Sequence, residues 1–485
     1  MLFLEGDGSL QQQVAAALRK AIMLRELAAG VQLLSSRALA LELGVSRNTV
    51  IAAYEQLGAE GYVETRKGSG TFVVGAVQTR SEIVSEKGIA PVWSRYGLNT
   101  LTQVSDQLAF RTPRRPLRYN FLYGEPGYAD LPIERWARII GKKARELTEK
   151  QLGYAPTGGV PELRVALADY LRRSRGVRCA PEQVFLVQGT QEAIDLVTRV
   201  FVDPGARAVI EEPHYRGFER CLLAVGARIA AIPVDDEGLQ TEHLQRVKRA
   251  RIAFVTPSHQ FPYGSVMSMS RRAALLDWAV ANDTVVFEDD YDSEFRYEGR
   301  PIPSVQSLDQ NGCVIYVGTA SKILFPSLRL GWMVIPQKMV EGFERFRTLS
   351  DTNPSTLEQL AFAEFVSSGY LERHVHQMRK RHSARRAALL ESLGKELGNR
   401  VHVVGTDAGI HVLLRLPEIC ASKTAELIHQ VSLENVGVYP TNQYYLQEAP
   451  KCAELILGYA SLTPGQIKTG IKRLAKVINQ LSAAS

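Results

Sequence analysis

Apolar side chains recur along residues 10–27 at Val14, Ala17, Leu18, Ala21, Ile22 and Leu24, close to the 3.6-residue period of one helix face. The spacing predicts an amphipathic helix that Ala28-Ala29-Gly30 brings to an end. Leu39, Ala40 and Leu43 define the inner face of a second helix over 36–43, capped by Ser35 or Ser36, and Gly44 turns the chain. Ser46 caps a third helix reaching Glu60, on which Val50, Tyr54 and Leu57 face the first two, and Gly61 supplies the left-handed residue that commonly ends a helix. Two β-rich pieces, 62–65 and 71–74, flank the basic tip Arg66-Lys67-Gly68-Ser69-Gly70. Three helices followed by such a ribbon predict a winged helix-turn-helix over residues 1–75.

The pattern then changes twice. Residues 76–116 hold no sustained period and carry Pro91, Pro113 and Pro116 beside Arg111, Arg114 and Arg115, as a linker would. Across 117–485, short apolar runs at 184–187, 208–210, 228–232, 252–255, 284–287 and 313–317 are separated by helix-length segments. That alternation predicts the α/β class, with a mostly parallel sheet covered by helices on both faces. From about Lys338 the pattern turns helical and ends in strand signals at 401–404, 411–415 and 455–459, which predict a smaller C-terminal α/β subdomain.

Composition bounds the function classes. With 485 residues, 45% hydrophobic and 22% charged, the chain has the balance of a globular protein with a large core, which excludes a disordered or collagen-like one. No apolar run reaches the roughly 18 to 20 residues of a membrane span. The first residues turn acidic where a secretory segment would gather apolar length, so the cytoplasm is the expected location and no membrane partner is expected. Five scattered cysteines without a CxxC pair argue against a disulfide framework or a zinc site, and no metal is expected. The net charge of +7 is thin for this length, and within residues 1–75 seven basic side chains face seven acids.

Placement therefore carries the case for DNA. Ser36 and Arg37 open the second helix, Ser46, Arg47, Asn48 and Thr49 fill the start of the third, and Arg66, Lys67 and Gly68 form the wing tip. A helix N-terminus offers unpaired amides and partial positive charge to phosphate, while Arg47 and Asn48 have the reach and donors to read base edges. Ser35-Ser36-Arg37-Ala38-Leu39-Ala40, Leu43-Gly44-Val45-Ser46-Arg47-Asn48-Thr49-Val50, Ala53-Tyr54-Glu55-Gln56-Leu57 and the wing Arg66 to Val73 closely resemble the GntR-type DNA-binding domain. The resemblance covers nearly all of the first 75 residues and implies a double-stranded DNA operator as partner. It departs at Leu34, where that family usually has proline.

A second constellation lies downstream. Lys322, in Gly318-Thr319-Ala320-Ser321-Lys322, directly follows the predicted strand 313–317; in a cleft at a strand end, desolvation lowers a lysine's pKa and frees an amine for Schiff-base formation. Arg329 follows seven residues on, and Asp289 precedes Lys322 by 33 at the end of another strand. A phosphorylated aldehyde cofactor built on a pyridine ring needs such a set: an amine for the aldehyde, a carboxylate for the ring nitrogen, and cations or hydroxyls for the phosphate. Gly189 and Thr190 open a helix after the strand 184–187 and can cradle phosphate, and Tyr215 follows a further strand and can stack on a ring or fill core. All four sets fall at carboxyl ends of predicted parallel strands, where such sheets bind ligands.

Residues from about 118 to 480 are similar to fold-type I pyridoxal phosphate (PLP) aminotransferases. The similarity rests on Leu163-Arg164-Val165-Ala166, Thr256-Pro257-Ser258-His259-Gln260-Phe261-Pro262 and Glu288-Asp289-Asp290-Tyr291-Asp292-Ser293-Glu294-Phe295. With the N-terminal domain, the whole resembles a MocR/GabR-type regulator of the GntR family. The resemblance implies an internal aldimine at Lys322, Asp289 on the pyridine nitrogen, Tyr291 on the ring hydroxyl and Tyr215 stacked. It further implies phosphate contacts from Gly189, Thr190, Thr319, Ser321 and Arg329, and Tyr154 reaching the partner subunit's phosphate in a homodimer. Two departures bear on chemistry: Phe261-Pro262-Tyr263-Gly264 stands where aminotransferases usually have Asn-Pro-x-Gly, leaving His259 or Gln260 to replace the asparagine. Ile456 falls where a substrate-carboxylate arginine is customary, leaving Arg216, His411 or a displaced arginine for that task. The expected function is a PLP-dependent transcription factor that senses a small amine or amino-acid effector. The alternatives are a vitamin B6 regulator with PLP itself as effector, or a true aminotransferase with an accessory DNA-binding module.

Overall fold

The computed structural model describes residues 8–24, 26–74, 94–104, 116–297, 302–351, 354–447 and 449–483. These divide into two compact units, residues 1–92 and 93–485.

In the first unit, Leu10–Met23 is a helix whose start is closed by a reciprocal capping box between Ser9 and Gln12. It ends at Met23, four residues short of the expected stop, with Leu24 as cap. Ser35, rather than Ser36, caps the helix Ser36–Leu43, and Gly44 closes it with φ of +65°. Ser46 caps Arg47–Ala59 by accepting from the Thr49 amide at 3.1 Å. Val14, Leu18, Leu39, Val50, Ala53 and Leu57 meet in one core with Val63 and Val73 of the ribbon Val63–Arg66/Gly70–Val73, whose register pairs Val63 with Val73 and Arg66 with Gly70. At Leu34 the turn is fastened by the Tyr54 hydroxyl, which donates to the Leu34 carbonyl at 2.7 Å.

Most of the expected linker 76–116 lies outside the described residues, including Pro91, Pro113 and its arginines 111, 114 and 115. The described part corrects the expectation of structureless chain, because Arg95–Val104 is a helix. Its Asn99 side chain donates to the carbonyls of Leu223 and Ala224 at 3.1 and 3.4 Å, at the end of the helix Arg216–Val225. Packing on a neighbour thus stabilises ten residues that no local period announces.

The second unit is built on an eight-stranded sheet in the order Val184–Val187, Gly331–Val334, Val314–Thr319, Val285–Asp289, Ala250–Val255, Arg207–Glu212, Arg228–Asp235, Gly238–Leu239. The six predicted strands are all present and mutually parallel where they adjoin, and two unpredicted ones join them: the edge piece Gly238–Leu239 and Gly331–Val334, antiparallel to both its neighbours. Side chains alternate between two cores, Ile315 and Val317 on one face and Tyr316 on the other, which explains why the strands read as unbroken apolar runs. A smaller antiparallel sheet contains His402–Val404, His411–Cys420, Cys452–Gly458 and Tyr439–Pro440. The helices Tyr370–Leu397 and Pro464–Ala483 cover it through Leu389, Leu393, Ile467 and Ile471. The chain enters this subdomain through Tyr119–Asn120, which pairs in parallel with Val436–Gly437. Among the described residues no helix is long and apolar enough to cross a membrane.

Candidate functional site

The carboxyl ends of the central strands bring the predicted residues to one rim. Val187, Gly331 and Thr319 are direct cross-strand neighbours, so the loop after Val187 and the loop after Thr319 lie side by side. Gly331 makes that approach possible, because a Cβ there would stand 3.0 Å from the Gly318 carbonyl and 3.1 Å from Gly189 Cα. Gly189 itself has φ of +103° and caps the twelve-residue helix that Thr190 opens. A Cβ at Gly189 would lie 3.5 Å from both terminal nitrogens of Arg329, so the guanidinium fork stands beside the helix N-terminus. Arg329 is exposed and holds a left-handed φ of +50°. The Thr319 hydroxyl donates to the Ser321 hydroxyl at 3.0 Å and accepts from the Ser321 amide at 3.2 Å. Two hydroxyls, a guanidinium and a helix start are a donor set suited to phosphate.

Lys322 is half-buried, and its Nζ donates to the Gly124 carbonyl. Asp289 is 5% exposed, and its Oδ1 accepts no hydrogen bond. Burial holds its carboxyl well above the usual carboxylate range, the Asp290 charge adds to that, and Lys322 works against it. Asp290 is differently placed. Its carboxylate takes Arg175 at 2.7 and 3.1 Å, the Tyr316 hydroxyl at 2.6 Å and the Ser293 hydroxyl at 2.8 Å, and the Arg175 ion pair is the leading influence holding it low against its own burial. Of two adjacent acids, one is fully engaged in structure and the other keeps an unfilled buried oxygen, which a protonated ring nitrogen would satisfy.

Tyr215 caps the helix Arg216–Val225, with its ring edge-on to Phe218 and Phe261 at centroid distances of 5.6 and 5.9 Å. The Tyr291 hydroxyl donates to the His259 carbonyl at 3.0 Å and lies 3.1 Å from His259 Nδ1. Nδ1 in turn lies 2.9 Å from Asp292 Oδ2, so His259 and Asp292 back Tyr291 from behind. Gln260 is not available to replace the asparagine, since its amide donates to Glu211, to the Pro213 carbonyl and to the Phe261 carbonyl. Glu211 beneath it is pushed up to about 7 by burial. Tyr154 stands apart from all of these in the single chain, 94% exposed.

An aromatic wall was not foreseen. Phe261, Tyr263, Leu413, Tyr444 and Ile456 form one buried cluster, with Tyr123, Tyr215 and Tyr291 packed against it. It comes from seven chain segments; Phe261, Tyr263 and Ile456 stood out in the sequence only as departures from aminotransferase motifs, and Tyr123 and Tyr444 carried no signal. The His411 ring lies 4.6 Å from that of His259, tilted by 50°, and burial holds its imidazole well below the ordinary histidine value, as a neutral group.

In the N-terminal unit, Arg37, Ser46, Arg47, Asn48, Lys67 and Gly68 are exposed, and Ser36 and Thr49 are half-buried. Arg47 Nε donates to the Ser36 hydroxyl at 3.3 Å, which ties the starts of the second and third helices. Arg66 is also exposed, but its guanidinium bonds Glu64 at 2.8 Å through Nε and sits 4.7 Å over the Phe72 ring.

Residues 121–474 match the family model described as aminotransferase class I and II, and residues 10–73 match that of bacterial regulatory proteins, gntR family. The chain is 37% identical over 490 residues to the probable rhizopine catabolism regulatory protein MocR of Rhizobium meliloti, covering 100% of this chain and 97% of that protein. It is 31% identical to the pyridoxine biosynthesis transcriptional regulator PdxR of Corynebacterium glutamicum, covering 84% of this chain and 83% of that one. Among solved structures, Pyrococcus horikoshii kynurenine aminotransferase in complex with PMP superposes with a TM-score of 0.70 at 28% identity, covering 82% of this chain and 97% of that chain.

Proposed function

The chain belongs to the MocR-type transcriptional regulators, a gntR-type DNA-binding domain joined to an aminotransferase-like domain, and from that premise we propose that it binds PLP at Lys322 and answers a small amine effector by changing its occupancy of a DNA operator. The observation that carries the reading is the pairing of Lys322 with Asp289. A half-buried amine and a buried acid with an unfilled oxygen occupy adjacent strand ends, while Asp290 is spent on Arg175. When bound, PLP supplies an aldehyde that exchanges one amine for another.

The chain's own residues do the rest. Asp289 would hold a proton on the ring nitrogen, Tyr291, flanked by His259 and Asp292, would turn its hydroxyl proton from the His259 carbonyl to the ring oxygen, and Tyr215 would cover one face. Gly189, Thr190, Thr319, Ser321 and Arg329 anchor the phosphate. Arg47 and Asn48 read bases, with Ser36, Arg37, Ser46, Thr49, Lys67 and Gly68 along the phosphate backbone; Arg66 joins them by exchanging Glu64 for a phosphate. The output is DNA occupancy in the cytoplasm rather than turnover. A second reading, with PLP itself as effector, is favoured over a true aminotransferase by the apolar setting of Ile456, buried where a carboxylate anchor would be needed.

Lys322→Ala should abolish both the visible absorption of the PLP-loaded protein and the adduct trapped by borohydride. Survival of either in the variant would remove the assignment.

A further inference from the structure

The wall beside the cofactor residues restricts what can be sensed there. Ile456 lies directly across the strands from Leu413 on one side and Tyr439 on the other, and its side chain is fully buried among Phe261, Tyr263, Leu413 and Tyr444. The Phe261 ring stands 5.0 Å from Tyr444, 5.7 Å from Tyr123, 5.9 Å from Tyr215 and 6.4 Å from Tyr291. The surroundings of Tyr215 and Tyr291 on this side are therefore rings, phenol hydroxyls and the branched alkyl chains of Leu413 and Ile456.

A carboxylate brought into such a place needs a cation, because a buried charge without a partner costs several kcal/mol or more. The cations that border the wall already face acids or serve other groups, Arg216 the least completely. Arg415, two residues along the strand from Leu413, bonds Glu454 at 2.8 Å and the Tyr263 hydroxyl at 3.1 Å, with its guanidinium 4.6 Å over the Tyr263 ring. Arg216, next to Tyr215, faces Glu219 at 3.4 Å without a hydrogen bond from its buried Nε, and Glu219, which also receives His214 at 3.2 Å, sets a competing negative charge beside it. Arg329 stands at Gly189, on the phosphate side. His411 lies 5.7 Å from Phe261 and is neutral, and Lys322 holds the reactive position itself.

We propose that the effector is a primary amine whose body carries no carboxylate, an aryl, alicyclic or hydroxylated amine rather than an amino acid, and that Ile456 sets this preference. The inference rests on the function proposed above and names the ligand class of that same site. Rings and Ile456 receive an uncharged body by apolar contact, the phenols meet any hydroxyl it carries, and the amine meets the cofactor at Lys322. An amino acid with the same body must leave its carboxylate unpaired or break the Arg415–Glu454 or Arg216–Glu219 pair.

The test is a pair of spectral titrations on the full-length, PLP-loaded protein: 2-phenylethylamine against phenylalanine, and cyclohexylamine against 4-aminocyclohexanecarboxylate. Calorimetry on the same mixtures gives a readout independent of the chromophore. Within each pair the plain amine should half-saturate the change at about tenfold lower concentration than its carboxylated counterpart. Ile456→Arg, examined in protein that keeps the cofactor band, should reverse the order. Equal or better response to the carboxylated probes overturns the proposal, and loss of that response in Arg216→Ala would assign the anchor to Arg216. Response to none of the four, with the band intact, also overturns it and favours PLP as sole effector. Absence of any band in the wild-type protein is a separate result, the failure of PLP binding at Lys322. Because a buried arginine can unfold the subdomain, the wild-type titrations decide the matter by themselves.

Discussion

At Asp289 the chain buries a carboxyl with one unfilled oxygen, next to an Asp290 that is saturated by Arg175, Tyr316 and Ser293. A carboxyl raised by burial is stabilising in its protonated form only. The cofactor-free protein therefore has this contribution in full below the unfolded carboxylate value of about 3.9 and loses it as pH rises through the higher folded value. Asp289→Asn removes the penalty. The cofactor-free variant should melt above wild type near pH 7, the gap closing toward pH 4, while PLP retention weakens by about tenfold or more as the ring nitrogen loses its charged partner. Unchanged retention, or a gap that widens in acid, would take Asp289 out of the role. Sequence spacing singled out Lys322, Asp289 and Arg329 because each sits at a fixed distance from a strand end, and strand ends are legible as the edges of apolar runs. Which of the two adjacent acids stays unpaired depends on Arg175, more than a hundred residues earlier, and no local pattern carries that. The aromatic wall escaped for the same reason, since Phe261 stands out only as a departure from a family motif and nothing local ties it to Tyr123 or Tyr444.

Among the elements, the three N-terminal helices were readable almost residue by residue, because caps at Ser35 and Ser46 and glycines at 44 and 61 punctuate them. Two elements were not. Arg95–Val104 carries Gly97 and, besides Tyr96, the four hydroxyl or amide residues Asn99, Thr100, Thr102 and Gln103 in ten residues, and its partner is a helix more than a hundred residues away. Gly331–Val334 is four residues long, and its antiparallel direction follows from a tight return after Arg329 rather than from composition. The third helix yields the prediction proper to this scale. Exposed at its first turn, Arg47 should contribute base discrimination, so Arg47→Ala costs on the order of 1 to 3 kcal/mol and relaxes preference at one operator position. Lys67→Ala at the wing should weaken binding to all sequences and lower the salt slope by about one unit. Equal losses for Arg47→Ala on operator and random DNA would reduce Arg47 to a phosphate contact.

For the whole molecule, we propose that a second copy completes the site. Tyr154 is almost fully exposed on the single chain, as a side chain destined for a partner subunit's phosphate would be. If two chains share their sites in this way, cofactor occupancy and dimer formation support each other, and a dimer carries two DNA readers. An effector changes transcription only by favouring one arrangement of those readers over another, because a ligand indifferent to both shifts nothing. Operators should therefore hold two half-sites, directly repeated or inverted, and effector should change spacing preference or bending more than affinity for one half-site. Footprints on operators of altered spacing, with and without effector, check this. A single protected half-site, insensitive to spacing and bound by monomer, would end the coupling scheme.

The bond from Lys322 to the Gly124 carbonyl gives the lysine a mechanical side. Gly124 belongs to the stretch that enters through Tyr119–Asn120, is strapped to Val436–Gly437, and donates from the Phe121 amide to the Gly437 carbonyl at 2.9 Å. Lys322 belongs to the rim of the large sheet. The ammonium is thus a latch between the rim of the large sheet and the stretch that leads into the smaller subdomain. If a cofactor takes that nitrogen, as proposed, the donor is withdrawn from the Gly124 carbonyl, so loading should release this contact before any effector arrives.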